Sequence, residues 1–220
     1  MTTVSTGKVG EIRRVRSGPV VLTVETRGAG EPLVVVHGLS GSRRVSLEQF
    51  TPLADRYLVV TFDQRGHGES APVTDPAAFD PVAMGSDIGT VLDDLGLERA
   101  AVVGESMGAA TALSFALRHP ERVTRLFLTG PAFGTERNAQ RVRLRERGQS
   151  VLDLGMEDHL TLFGRRLREE MGLSEHATAR LVAGFAGHDP LSIATALMVV
   201  ADWVPHEDLT ELESLDIPVH

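Results

Sequence analysis

Residues 100–110 read Ala100-Ala101-Val102-Val103-Gly104-Glu105-Ser106-Met107-Gly108-Ala109-Ala110. A short apolar run leads straight into Gly-x-Ser-x-Gly, and small apolar residues follow. The first part predicts a strand buried on both faces. The second predicts a helix, Ser106–His119, stopped by Pro120. Between the two, the serine occupies a turn tight enough to strain its backbone and project its hydroxyl from the sheet edge. A side chain two residues to either side would collide there, so Gly104 and Gly108 are required. Ala109 and Ala110 keep the helix close to the sheet, and its N-terminus brings a positive dipole end to the serine. A bare Gly-x-Ser-x-Gly arises by chance in roughly one chain in eight, so the strand before it and the helix after it carry the reading.

The same alternation extends in both directions. Upstream, segments near Gly10–Arg16 and Val20–Arg27 read as a hairpin across Ser17-Gly18-Pro19. Pro32–Val36 and Tyr57–Phe62 are further buried strands, with a short helix near Ser46–Ala54 between them and a longer one within Pro76–Leu97. Downstream, Leu126–Thr129 is the next strand. This order predicts an α/β fold with a doubly wound, mostly parallel sheet and an N-terminal antiparallel hairpin. From Pro131 to about Glu213 the pattern turns helical and rich in Arg and Glu, with Asp189-Pro190 marking the start of a helix through Trp203. The expected organisation is a core over 1–131, a helical cap over 132–213, and the start of another core strand over 214–220, at Ile217-Pro218-Val219.

Composition narrows the function classes. The chain has 220 residues, 42% hydrophobic and 24% charged, with a formal net charge of −8 and no cysteine. One large domain with an insertion suits that length. Without cysteine there are no disulfides, thiolate zinc sites or thiol nucleophiles. The acidic balance argues against nucleic-acid binding, which needs a basic face. No apolar run approaches the ~18 residues of a membrane span, and the N-terminal residues lack a signal-peptide core. The expectation is a soluble cytoplasmic protein whose partner is a small molecule; its oligomeric state is not encoded in any motif.

Two further motifs follow strands. His37-Gly38-Leu39-Ser40-Gly41 closes the Pro32–Val36 run. Its loop can aim the Leu39 N–H at the same point as the Met107 N–H, and two such donors stabilise the oxyanion of a tetrahedral acyl intermediate. His37 itself reads as a structural hydrogen-bonding residue rather than a base. Asp63-Gln64-Arg65-Gly66-His67-Gly68-Glu69-Ser70 reads as a sharp polar loop that satisfies buried backbone groups. A metal role for Asp63, His67 and Glu69 is the weaker reading.

With these three motifs in this order the chain resembles the α/β-hydrolase fold superfamily, in the group with a helical lid inserted after the sixth strand. The resemblance implies Ser106 as the nucleophile and the N–H groups of Leu39 and Met107 as the oxyanion hole, flanked by the elbow glycines Gly104 and Gly108. It implies a cofactor-independent, metal-free serine hydrolase, an esterase or lactonase acting through an acyl-enzyme. The resemblance also places a triad acid after a seventh strand and a histidine after an eighth. Both fall beyond residue 220, so the chain is expected to be truncated, without its usual acid and base and impaired in activity. Among the remaining histidines, His119 lies at the far end of the elbow helix, and His159, His176, His188 and His206 are expected to face solvent from the cap. The alternative acid position reads Gly130-Pro131-Ala132, with Glu136 the nearest carboxylate. Phe163, Leu181, Phe185, Met198 and Trp203 either line an acyl pocket or pack the cap. Rival readings are a non-catalytic small-ligand-binding protein of the same fold and an inactive fragment.

Overall fold

The strand Pro32–Val36 has no polar position, and a computed structural model of the chain shows where both of its faces go. The structure describes residues 10–130, 137–203 and 209–220. Six strands form one sheet: β1 Glu11–Ser17, β2 Val20–Gly28, β3 Glu31–Val36, β4 Tyr57–Asp63, β5 Ala100–Glu105 and β6 Val123–Thr129, in the order β1-β2-β4-β3-β5-β6. The β1–β2 hairpin is antiparallel and joins the rest through an antiparallel β2–β4 pairing; β4, β3, β5 and β6 run parallel.

Successive side chains of a strand point to opposite faces, and the core divides on that rule. Leu33, Val35, Val59 and Ala101 face one side, where Leu47 of helix α1 (Arg43–Phe50) covers them. Val34, Val36, Val60, Phe62 and Val102 face the other. There they meet Met84, Ile88 and Leu92 of α2 (Pro81–Asp94) and Ala110 and Leu113 of α3 (Met107–Arg118). A doubly wound sheet is the result.

Helices α4 (Arg137–Glu169), α5 (Glu175–Ala186) and α6 (Pro190–Ala201) lie over the carboxyl edge of the sheet. Gly68 N–H donates to His188 Nδ1 at 2.7 Å, Val73 N–H to Ser192 Oγ at 2.9 Å, and Trp203 Nε1 to Phe79 O at 3.1 Å. Asp189 caps α6 through Ser192 N and Pro190 takes its first turn, as the sequence predicts. Gly155 (φ 80°) breaks the long α4 into two helical pieces. Among the described residues no single helix is long and apolar enough to cross a membrane.

Two boundaries differ from expectation. Helix α1 begins at Arg43 rather than Ser46, because the Ser42 hydroxyl caps it by accepting from Val45 N. The Pro76–Leu97 stretch divides at Asp80: a 3-10 turn over Pro76–Phe79 ends there, and the Asp80 carboxylate caps α2 through Val82 N and Ala83 N. At the C-terminal end a single parallel bridge joins Val219 to Leu126 of β6. Leu126 N–H donates to Pro218 O and His220 N–H to Leu126 O, both at 2.9 Å, laying 218–220 parallel to β6.

One buried carboxylate organises the end of β4. Asp63, fully buried, accepts from Arg43 N (2.8 Å), Arg43 Nη1 (3.0 Å) and Glu69 N (3.0 Å). The equally buried Arg43 continues to Glu69 (3.0 Å) and Glu25 (3.4 Å). Removing one partner of such a cluster leaves an uncompensated buried charge. Asp63→Ala is therefore expected to lower stability by about 3–5 kcal/mol, read as a lower midpoint in urea unfolding.

Candidate functional site

Ser106 is held at φ 53°, ψ −113°, and is the only non-glycine residue with positive φ among those described. Such a backbone costs about 1–3 kcal/mol and persists only where its surroundings enforce it. Here the first turn of α3 is pressed against the end of β3. A Cβ at Gly108 would overlap the carbonyl oxygens of Val36 and His37, and one at Gly104 would overlap Gly108 O and Ala109 Cα. Both glycines are required by contact. The serine backbone is fixed at each end: its N–H donates to Thr129 O at 2.8 Å, and its carbonyl accepts from Ala109 N at 3.0 Å and Ala110 N at 3.3 Å. Ser106 remains half-buried, and its hydroxyl makes no capping hydrogen bond.

Met107 is the first residue of α3, so its N–H has no partner within the helix. Across from it runs the loop 37–41. A Cβ at Gly38 would sit 3.4 Å from Ser106 Cβ, so the backbone before Leu39 passes directly beside the serine. A tight turn, Gly41 N–H to Gly38 O at 2.8 Å, sets the loop's shape. The structure thus brings Ser106, Met107 and the Gly38–Leu39 backbone together. A cavity of about 400 Å³ opens beside them, with Gly38, Ser40 and Glu105 on one wall and His176, Arg180 and Leu181 of α5 on the other.

Buried histidines support this loop from beneath. His37 donates from Nδ1 to Gly38 O (2.7 Å) and accepts Gln64 N–H at Nε2 (3.0 Å), the structural role that its sequence context predicts. His67 sets Nδ1 against Arg65 O (3.0 Å) and Nε2 against Leu39 O (3.2 Å); a neutral ring can donate to only one of them. His188 packs edge-on against His67, with ring centroids 5.0 Å apart. Asp63, His67 and Glu69 are committed to the ion cluster and to backbone carbonyls. Among the described residues no group of three His, Asp or Glu side chains could hold a metal ion.

The helical layer corrects one expectation. His159 and His188 do not face solvent; they are 2% and 5% exposed. His159 stacks on Phe163 and His188 fills the junction with the loop 63–70. His176 is exposed, as expected, and His206 lies outside the described residues. Phe185 and Trp203 are packed, while Leu181 lines the cavity. Gly130 is described, whereas Pro131, Ala132 and Glu136 are not. The sequence reading missed the inward faces of His159, His188 and Arg147. His188 bonds Gly68 and Arg147 reaches Phe185 across long sequence separations, and the local Arg/Glu-rich pattern carries no signal of these contacts.

A family model described as alpha/beta hydrolase fold matches residues 31–206. The chain is similar to a proline iminopeptidase of Xylella fastidiosa, 39% identical over 104 residues, which is 46% of this chain and 32% of that protein. Curated relatives at 36–42% identity are matched over about half of this chain and about a third of their own length. Two solved structures share the fold over nearly the whole chain. The enol-lactonase from Burkholderia xenovorans LB400 has TM-score 0.77 at 20% identity, covering 95% of this chain and 79% of that one. The malate-bound thermophilic esterase from Thermogutta terrifontis has TM-score 0.76 at 24% identity, covering 96% and 78%.

The histidine layer has a consequence for pH. Burial lowers the His37 and His67 pKa values from 6.5 to about 4, and burial with the neighbouring rings lowers that of His188 to about 2. Each ring binds its proton more readily in the unfolded chain. Its contribution to stability is complete above about pH 6.5 and is lost as the pH falls from there toward the folded-state value, about 4 for His37 and His67 and about 2 for His188. By pH 5 the loss amounts to about 2 kcal/mol per ring. Thermal unfolding followed from pH 7.5 to 4.5 should show Tm flat at first and falling below about pH 6.5.

Proposed function

The chain belongs to the alpha/beta hydrolase fold family, and from that membership we propose that it is a serine hydrolase acting through an acyl-enzyme on a carboxylic ester, a lactone or a related acyl substrate. The observation that carries this reading is the Ser106 backbone. A strained non-glycine residue at a helix N-terminus costs stability and gives a binding protein nothing, but it presents an oxygen to a substrate carbonyl. Similarity to an iminopeptidase, and a fold shared with a lactonase and an esterase, support the general class of hydrolase.

In this reading Ser106 Oγ attacks the carbonyl carbon and gives up its proton to a base. The carbonyl oxygen becomes an oxyanion, held by the N–H groups of Leu39 and Met107. The helix dipole of α3 adds to that field. On collapse of the tetrahedral intermediate the protonated base returns that proton to the leaving alcohol and the acyl group stays on Ser106; the same base then takes a proton from water, which attacks the acyl carbon, and gives it back to Ser106 Oγ as the acid leaves. In this fold the base is a histidine that follows the acid in chain order. His37 and His67 do not fit that role, since both of their ring nitrogens already face backbone groups. The core over 1–131 supplies nucleophile and oxyanion donors, and the cap over 132–213 supplies the far wall of the cavity. The chemistry needs neither metal nor cofactor.

Labelling with a fluorophosphonate and hydrolysis of a p-nitrophenyl ester, each on the chain and on Ser106→Ala, test the assignment. The chain should take the label at Ser106 and the variant should not. The oxyanion donors and substrate binding by themselves retain roughly 10³–10⁴ of acceleration over water when triad members are missing. Labelling that persists in Ser106→Ala would overturn the assignment. Ester binding with no labelling would instead favour a non-catalytic ligand-binding protein.

A further inference from the structure

Arg147 stands in a run of charge, Arg141-Val142-Arg143-Leu144-Arg145-Glu146-Arg147, that reads as a solvated helix face. The structure separates its members. Arg141 pairs with Asp202 at 2.6 Å on the surface, and Arg145 pairs with the same carboxylate. Arg147 turns inward. Its guanidinium carbon lies 4.1 Å from the ring centre of Phe163 and 4.8 Å from that of the buried Phe185. Its Nε and Nη2 are closed to solvent and have no hydrogen-bond acceptor among the described residues.

The aromatic faces do not account for that arrangement. A cation–π contact attracts the charge through the ring faces, but it supplies no acceptor to N–H groups that have lost their water. The rings attract the charge and leave the two N–H groups without acceptors. Burial lowers the Arg147 pKa only to about 10, so the group stays charged at neutral pH.

A second orphaned group stands on the same aromatic ring. His159, 2% exposed, stacks on Phe163 with planes 7° apart, and its Nε2 is buried without a partner. Its Nδ1 lies 3.1 Å from Ser150 Oγ. With the Ser150 hydroxyl donating to Nδ1, the ring hydrogen sits on Nε2, and the neutral histidine becomes a third buried donor.

We propose that Arg147 and His159 form a carboxylate-binding site in the helical layer and that the substrate processed at Ser106 is an acyl compound bearing a second, anionic carboxylate. One positive charge with two guanidinium N–H groups matches a planar monoanion that accepts in a fork. The site adjoins the nucleophile's surroundings. Phe185 follows Gly184, where a Cβ would overlap Ser40 O, so α5 rests directly on the loop 37–41. On its other side Phe185 meets His188 edge-on, with centroids 5.9 Å apart. The substrate half of the proposal rests on the hydrolase reading; the binding half does not.

Calorimetric titration of the 220-residue chain with glutaramate, which is a monoanion, and with neutral glutaramide tests the site without any turnover. Glutaramate should bind about 10–100-fold more tightly, the range of one or two charge-assisted hydrogen bonds. Arg147→Gln should bring the two affinities within about twofold, and Arg147→Lys should restore part of the difference. His159→Gln should weaken glutaramate alone. Equal affinity for the two ligands in the unsubstituted chain overturns the proposal, and this comparison holds even where Arg147→Gln fails to fold. Equal weakening of both ligands by Arg147→Gln would show a purely structural clamp and also overturns it. Inorganic phosphate binding as tightly as glutaramate would overturn the assignment to carboxylate. Fluorophosphonate labelling separates the two claims. Loss of labelling with discrimination intact removes the hydrolase reading, and labelling without discrimination removes the carboxylate site.

Discussion

The first turn of α3 touches the end of β3 with no side chain between them, and most of the site follows from that approach. The carbonyls of Val36 and His37 occupy the space a Cβ at Gly108 would need. Ser106 must therefore turn the chain from strand to helix in a single residue, which drives its φ to 53°. The cost is offset locally. The hydrogen bond to Thr129 O ties the serine to β6, while Ala109 and Ala110 take its carbonyl into the helix. The same approach brings the end of β3, and with it the loop 37–41, beside the serine. Nucleophile and oxyanion loop thus share one steric cause.

The position of the loop 37–41 is fixed largely from beneath. Asp63 anchors the start of the loop 63–70 through Arg43 and Glu69 N–H. Arg65 locks that loop to α2 through a two-pronged pair with Asp87, at 2.7 and 2.8 Å. His67 then reaches Leu39 O, and Gln64 N–H reaches His37. The polar loop needs no chemistry of its own to matter. It converts a buried ion cluster into a fixed position for the Leu39 backbone, and through His188 it seats the helical layer above.

Burial on both faces made the strands legible, because Pro32–Val36, Tyr57–Phe62 and Ala100–Val103 are near-continuous apolar runs and each ends at a motif. The elbow was legible because its glycines are dictated by local geometry. Helix starts were less so: Ser42 and Asp80 cap through side chains, and apolar spacing alone does not register a cap. The helical layer was the least legible. Helix α4 carries so many charged residues that its buried stripe, Gly148, Val151, Leu160, Gly164 and Leu167, is sparse. His159 and Arg147 sit beside that stripe: Arg147 lies against Phe163 and against Phe185 of α5, and His159 lies against Ser150 and Phe163 of its own helix.

Strained or unpaired groups collect at functional positions, where local rules give way to a purpose beyond folding. The two clearest cases here differ in kind. Ser106 is strained, yet its own N–H and carbonyl are both hydrogen-bonded, so the fold alone can hold it. Arg147 has ordinary helical surroundings but two buried N–H groups that the described residues leave without acceptors. No rearrangement of Phe163 or Phe185 mends that, since neither ring has an oxygen to offer. A second buried polar group on the same ring, His159 Nε2, lacks a partner among the described residues as well, and a protonated ring would repel the cation. The proposed carboxylate would supply the acceptors that both groups lack. The serine is therefore complete without a ligand, while the arginine is the part of the fold that a ligand completes.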